Sequence, residues 1–245
     1  MTSPRFPALD PQRVADPARW SDPAQPVLTF YDDATGERVE FSARTLGNWV
    51  AKTANLGVDL LDLEPGDTVA IDLPVHWLGV VWALAAMTAG WRVDPVRAGA
   101  PEAGAAAEVL VTAVVPDNAF DTYRDVVAVS TQPLSLSYGP GLPDGVLDYA
   151  AEIPANADAF TAGAAPAGFA EPWWSAALAA VADHGPGAGD RVLTGLAPTT
   201  AEGLVQAVLA PAIATASVVL VAGMDTLPPG RADSIAAIER VTGRR

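Results

Sequence analysis

Few groups in this sequence of 245 residues can move protons, attack electrophiles or hold metals. His76 and His184 are the only histidines, Lys52 is the only lysine, and cysteine is absent. A His-rich or thiolate metal site is thereby excluded, together with disulfides and cysteine nucleophiles. His76 stands at the head of an apolar stretch beside Trp77. A capping or packing role is weighed there against that of a general base, for which the sequence shows no carboxylate placed to orient the ring. His184 precedes Gly185-Pro186-Gly187 and reads as a helix C-terminal residue, favourable to the helix dipole when charged. No nucleophile-elbow pattern surrounds Ser135 or Ser137. Asp32-Asp33 reads as a turn and Asp144-Gly145 as a loop-to-helix entry, and neither needs a metal. Trp77, Trp82 and Trp91 read as core. The adjacent pair Trp173-Trp174 opens a helix and leaves one ring partly exposed, so a ligand or partner contact is weighed there against packing.

Composition narrows the classes further. Half of the residues are apolar, which is a globular composition. A formal charge of −15 argues against nucleic-acid binding, which needs clustered Lys and Arg, and against an anionic membrane surface. One lysine against thirteen arginines, with heavy use of Ala, Gly and Pro, reads as a high-GC bacterial coding sequence. Two stretches, Leu73–Trp91 and Gly203–Met224, carry no formal charge. The first is interrupted by Pro74 and His76. The second contains Gln206 and Pro211 and divides into a helix and the β-branched run Ser217–Val221, as apolar helix-plus-strand pairs do inside α/β domains. With no hydrophobic leader at the proline-rich N-terminus, a soluble cytoplasmic protein with no membrane segment is expected.

The elements that must position these groups alternate. Residues 1–25 carry five prolines and are expected to wrap the domain, with a short helix near Gln12–Trp20. Residues 26–245 are expected to form a single α/β domain, with lobes 26–150 and 155–245 as its candidate subdivision. Val27–Phe41 predicts a hairpin, and Ser42 an N-cap for a helix to about Leu61. A buried-type strand follows at 68–73, then an apolar helix from Pro74 to Ala89 stopped by Gly90. Further strands are expected at Trp91–Val96, Val109–Val115 and Val126–Val129. Residues 130–172 read as loop around a short helix at Val146–Glu152. Helices at Trp173–Val181, Glu202–Ala214 and Arg231–Val241 alternate with strands at Arg191–Leu196 and Ser217–Val221. This pattern implies a three-layer α/β fold, a parallel or mixed sheet with helices on both faces.

One ordered run is more specific. Ala54-Asn55-Leu56-Gly57, Pro65-Gly66-Asp67-Thr68-Val69-Ala70-Ile71, Leu73-Pro74, a Trp/Leu/Val/Ala helix, Ala89-Gly90 and Asp94-Pro95 follow one another over about fifty residues. Gly189-Asp190-Arg191-Val192-Leu193, Leu196-Ala197-Pro198, Gly203-Leu204 and Val218-Val219-Leu220 agree with it. Together they resemble the N-terminal region of the acyl-adenylate-forming family, which includes acyl-CoA synthetases, nonribosomal-peptide adenylation domains and luciferases.

That resemblance implies a Ser/Thr/Gly-rich loop ending Pro-Lys-Gly that holds ATP phosphates through backbone N–H groups, hydroxyls and a lysine. The corresponding residues here are Phe160-Thr161-Ala162-Gly163-Ala164-Ala165-Pro166-Ala167-Gly168. Thr161, Gly163, Pro166 and Gly168 fit, whereas alanines occupy hydroxyl positions and Ala167 stands for the lysine. Losing the lysine and three hydroxyls together leaves little transition-state stabilisation. The histidine that the family often has after Leu-Pro is absent, since Pro198 is followed by Thr199-Thr200. The later ribose-binding aspartate, barrel and C-terminal domain have no counterpart before Arg245. The expectation is a non-catalytic relative with a binding, regulatory or assembly role and no cofactor. A degenerate nucleotide site at Thr161, Gly163 and Gly168, taking ATP or AMP through backbone N–H groups, is the alternative, as is half of a split synthetase. Self-association or a protein partner is expected to cover apolar surface that the missing parts would have covered.

Overall fold

The computed structural model describes residues 9–95 and 107–244. The chain opens on two single-turn 3₁₀ helices, Pro11–Arg13 and Pro17–Arg19. Each has a proline in its first turn and an aspartate cap, Asp10 or Asp16, which accepts a backbone N–H. These turns replace the one helix expected near Gln12–Trp20, because prolines six residues apart interrupt any longer ladder. Residues 1–8 lie outside the described residues.

A hairpin follows, β1 (Pro26–Asp32) against β2 (Glu37–Ser42). Ser42 caps α1 (Ala43–Leu61) through the Thr45 N–H. Next come β3 (Thr68–Asp72) and α2 (Trp77–Ala89), which ends at Gly90 in the left-handed region. The helix begins three residues later than Pro74, because extended His76 is its cap. β4 (Arg92–Pro95), β5 (Val109–Thr112) and β6 (Asp125–Ala128) complete the first half. Val96, the expected end of β4, lies outside the described residues. Residues expected as a helix from Val146 instead start as β7 (Leu147–Asp148), paired with β6. The helix α3 (Tyr149–Glu152) opens only after Asp148, whose carboxylate accepts from the Ala150 and Ala151 N–H groups.

The second half runs α4 (Trp173–Ala182), β8 (Arg191–Thr194), α5 (Ala201–Gly203), a π-helical stretch (Leu204–Leu209), α6 (Ala210–Ala214), β9 (Ser217–Val221), α7 (Arg231–Ile238) and β10 (Gly243–Arg244). Pro211 accounts for the π stretch. It has no N–H to give, and its ring crowds the carbonyl four residues back, so the preceding turn widens and Ala210 N–H reaches Val205 O.

The strands divide between two sheets. One has the order β4-β3-β5-β6-β7 and is all parallel; the other has the order β10-β8-β9-β1-β2, with only β2 antiparallel. The sheets do not divide at residue 150, because β1 pairs in parallel with β9, Leu28 beside Val218 and Phe30 beside Leu220. The main core lies between the sheets. Phe30 and Leu220 reach it from one side, Ile71 and Val127 from the other, and α2 runs between them. A helix apolar on every face is stable only where every face is covered, and Val81, Trp82, Ala85 and Met87 are all fully buried. The outer face of the second sheet is closed by α7, Ile235 packing on Leu193, Val219 and Val221.

Candidate functional site

The segment carrying Thr161, Gly163 and Gly168 lies at the amino end of the first sheet. Ligands of parallel sheets gather at the opposite, carboxyl end. The segment passes over the Pro65-Gly66 turn before β3 and over Gly90 before β4. A side chain at Gly66 would meet Pro166 Cγ at 2.9 Å, and one at Gly90 would meet Ala165 Cβ at 2.7 Å. Both glycines have positive φ, +102° and +83°, so the turn and the close approach require them.

The segment is a strap held by its carbonyls. The Asn55 amide donates to Ala157 O and Ala159 O, each at 2.9 Å. Gln12 Nε2 donates to Gly163 O at 2.9 Å and to Thr88 O at 3.3 Å. Lys52 Nζ donates to Asn156 O and pairs with Asp158 at 3.1 Å. Thr161 and Gly163 are exposed on the strap. Gly168, with φ +73°, sits in the next turn with open space about it. No described hydrogen bond is donated by a backbone N–H of residues 157–165. Three carbonyls of the strap, Ala157, Ala159 and Gly163, face inward onto side-chain donors, and Lys52 beneath it balances the charge of Asp158.

His76 occupies the junction of hairpin and α2 and is buried. Its Nδ1 accepts from Leu78 N–H at 3.2 Å, and its ring stands edge-on to Phe30 at 4.9 Å. The cap requires a lone pair on Nδ1, so the neutral ring carries its proton on Nε2. That nitrogen lies 3.7 Å from Glu37 Oε2. Burial holds His76 down at about 4 and pushes the Glu37 carboxyl above its ordinary value. The capping reading of His76 is observed, since neither nitrogen is free to take a proton from a ligand. The carboxylate beside it was invisible in the sequence because α1 and β3 lie between the two residues along the chain.

The tryptophan pair packs. Trp174 is buried, and Trp173 Nε1 donates to Val93 O at 2.9 Å, closing the carbonyl of edge strand β4. Where the acyl-adenylate pattern often has histidine, Thr199 Oγ1 donates to Leu73 O at 2.6 Å and Thr200 caps α5. His184 is exposed beside Asp183 and has positive φ.

A buried ionic cluster had no sequence signal. Glu239, directly after α7, accepts from Tyr31 Oη at 2.5 Å, Arg38 Nη2 at 2.9 Å and Arg191 Nη2 at 2.5 Å. Burial alone would raise its carboxyl, but the hydrogen bonds from Tyr31, Arg38 and Arg191 outweigh that and hold it at about 2. Its groups satisfy one another, so the cluster fastens α7 to three strands.

Among the described residues no group of three or more His, Asp or Glu side chains is placed to hold a metal, and no helix is long and apolar enough to cross a membrane. No protein-family model matches the chain. It is 36% identical over 234 residues to the TIGR03089 family protein of Mycobacterium tuberculosis (strain ATCC 25618 / H37Rv), covering 94% of this chain and 95% of that protein. The fold superposes on the acyl-CoA synthetase of Brucella canis with a TM-score of 0.74 at 20% identity. The superposition covers 99% of this chain and 48% of that enzyme, so the chain spans about half of its length. The fold is thus acyl-CoA synthetase-like.

Proposed function

From the premise that the chain belongs to the TIGR03089 protein family, we propose that it is a non-catalytic protein with a binding, regulatory or assembly role on an acyl-CoA synthetase-like fold. One observation carries this. The segment matching the phosphate loop is an exposed strap with inward carbonyls, alanine in place of lysine, and Lys52 consumed by Asn156 O and Asp158. Charge-assisted phosphate contacts contribute roughly 1.5–3 kcal/mol each, and several are missing together.

The assembly side of the reading is supported by the loops at the carboxyl end of the first sheet. Val114, Leu134 and Leu136 are 75%, 95% and 84% exposed there. Leu134 also holds a left-handed backbone, φ 55°, which is uncommon for a bulky residue. Tyr138 Oη donates to Ala113 O at 2.9 Å and ties the two loops together.

Thermal unfolding with and without millimolar Mg-ATP, AMP and a panel of acyl-CoAs tests the catalytic side. No shift is expected. A reproducible shift with ATP or AMP, followed by pyrophosphate exchange above background, would overturn the reading. Light scattering at micromolar concentration tests self-association, against which a clean monomer counts.

A further inference from the structure

The two sheets do not finish their edges alike. Among the described residues, β4 has its Val93 carbonyl closed by the Trp173 indole, and β7 and β10 are only two residues long. β2 is six residues long and has β1 as its one neighbour in the sheet. Its run Glu37-Arg38-Val39-Glu40-Phe41-Ser42 carries no proline and no lysine, the residues that commonly blunt an edge.

The pairing decides which backbone groups of β2 are open. Tyr31 O accepts from Ala222 N–H at 2.8 Å, so Tyr31 turns its backbone groups to β9. Phe30 and Asp32 alternate with it and turn theirs to β2, where Val39 and Glu37 face them. The N–H and C=O groups of Arg38 and Glu40 therefore point out from the edge, and no described turn, loop or side-chain bond reaches them.

The side chains alternate as well. On the core face Val39 is half-buried, Phe41 meets Trp77 at 4.8 Å, and Trp77 meets Trp49 at 5.0 Å, both tryptophans being half-buried. Arg38 and Glu40 lie on the other face, 45% and 39% exposed. Arg38 spends Nε and Nη2 on Tyr31, Glu40 and Glu239, and Glu40 accepts through Oε2. Arg38 Nη1 and Glu40 Oε1 are left with no described partner.

An open antiparallel edge can receive a second copy of itself about a two-fold axis. Opposite residues must share a face, so the axes that pair most of the strand pass through Arg38, Val39 or Glu40. An axis at Arg38 sets two arginines against each other, and one at Glu40 sets two glutamates, both unfavourable. An axis at Val39 sets Arg38 against Glu40 of the partner subunit on both sides. The outward N–H and C=O groups of these residues then form the closely hydrogen-bonded pairs, and the unused Nη1 and Oε1 face one another.

We propose that β2 pairs antiparallel with β2 of a second copy of this chain about a two-fold axis at Val39, joining two five-stranded sheets into one. This deepens the assembly reading above and rests on it, but it uses different residues from the loops of Val114, Leu134 and Leu136.

The test is light scattering of the full chain up to about 100 µM, beside Glu40→Arg, Glu40→Pro and Leu134→Ser. A dimer is expected. Glu40→Arg places a positive charge against Arg38 of the partner subunit and is expected to weaken dimerisation at least about tenfold. Glu40→Pro removes an N–H that no bond within the chain uses, and the same loss is expected; should it not fold, Glu40→Arg decides. Leu134→Ser is expected to leave the dimer intact. The chain has no cysteine of its own, so a single introduced one reports the register. Residues opposite at a non-hydrogen-bonded pair have Cα atoms about 4.5 Å apart, within disulfide range. Val39→Cys is therefore expected to cross-link on oxidation far faster than Asp59→Cys, at an exposed position on α1. A monomer at about 100 µM, dimerisation unchanged in folded Glu40→Arg, or cross-linking through Val39→Cys no faster than through Asp59→Cys would each overturn the proposal. A dimer lost in Leu134→Ser but kept in Glu40→Arg would overturn it while leaving the assembly reading in place, and the non-catalytic reading is decided separately by the nucleotide titration.

Discussion

Replacing Glu239 by alanine removes the hub of the buried cluster and leaves Arg191 facing Thr29 with no carboxylate, while Arg38 keeps Glu40 at 2.9 Å. Arg191 is only 14% exposed, so its charge would be stranded in poor solvent. Breaking a buried pair on one side costs about 3–5 kcal/mol. The carboxyl's own shift leads to a similar figure. Its ordinary value is 4.5 and the cluster holds it at about 2, which at about 1.4 kcal/mol per unit is roughly 3 kcal/mol. Because Arg38 is 45% exposed, solvent screens part of this. The expected loss for Glu239→Ala is therefore about 2–4 kcal/mol, a large share of the 5–15 kcal/mol that holds a typical domain. At about 2–4 °C per kcal/mol for a chain of this size, the melting temperature should fall by roughly 5–15 °C. Urea titration followed by tryptophan fluorescence measures the loss. The direction with pH follows from a folded-state value below the unfolded one. The carboxylate's stabilisation is complete above about 4.5 and drains away as pH falls towards 2. The gap between wild type and Glu239→Gln should therefore narrow across that window. A Glu239→Ala variant within 0.5 kcal/mol of wild type at pH 7, or a gap to Glu239→Gln that stays constant from pH 6 to pH 2.5, would refute the reasoning.

Ala167→Lys restores the charge but not the three hydroxyls replaced by Ala162, Ala164 and Ala165, so no thermal stabilisation by Mg-ATP is expected from it; a dissociation constant below 1 mM would show that one lysine was all the strap lacked. Gly90→Ala places a methyl group on Ala165 in a left-handed position, and a loss of about 1–3 kcal/mol is expected by denaturant titration. Trp173→Phe keeps the ring but frees Val93 O, for which about 1 kcal/mol is expected, with earlier amide exchange along β4. His76→Asn keeps a capping acceptor and His76→Ala does not, so alanine should be the less stable by about 1 kcal/mol; equal stability would deny the cap.

The local sequence determined a good deal on its own. Ser42, Gly90 and the Pro65-Gly66-Asp67 turn mark boundaries through backbone geometry that neighbouring residues alone impose, and the structure places α1, the end of α2 and β3 accordingly. The run from Ala54 to Pro95 also pointed to the acyl-CoA synthetase-like fold, because an order of turns, strands and helices survives when side chains do not. Other boundaries moved where a nearby cap decided them, as His76 does for α2 and Asp148 for α3. What the sequence could not hold was pairing across distance. Nothing local says that the first hairpin joins β9, that Glu37 meets His76, or that Glu239 collects Tyr31, Arg38 and Arg191 from three strands. The same limit governs the strap. Its alanines show that phosphate ligands are missing, but the direction of its carbonyls and the capture of Lys52 exist only once α1, α2 and the N-terminal turns converge. Side-chain chemistry is written residue by residue, whereas burial, ion pairing and the facing of a backbone are properties of the packed chain.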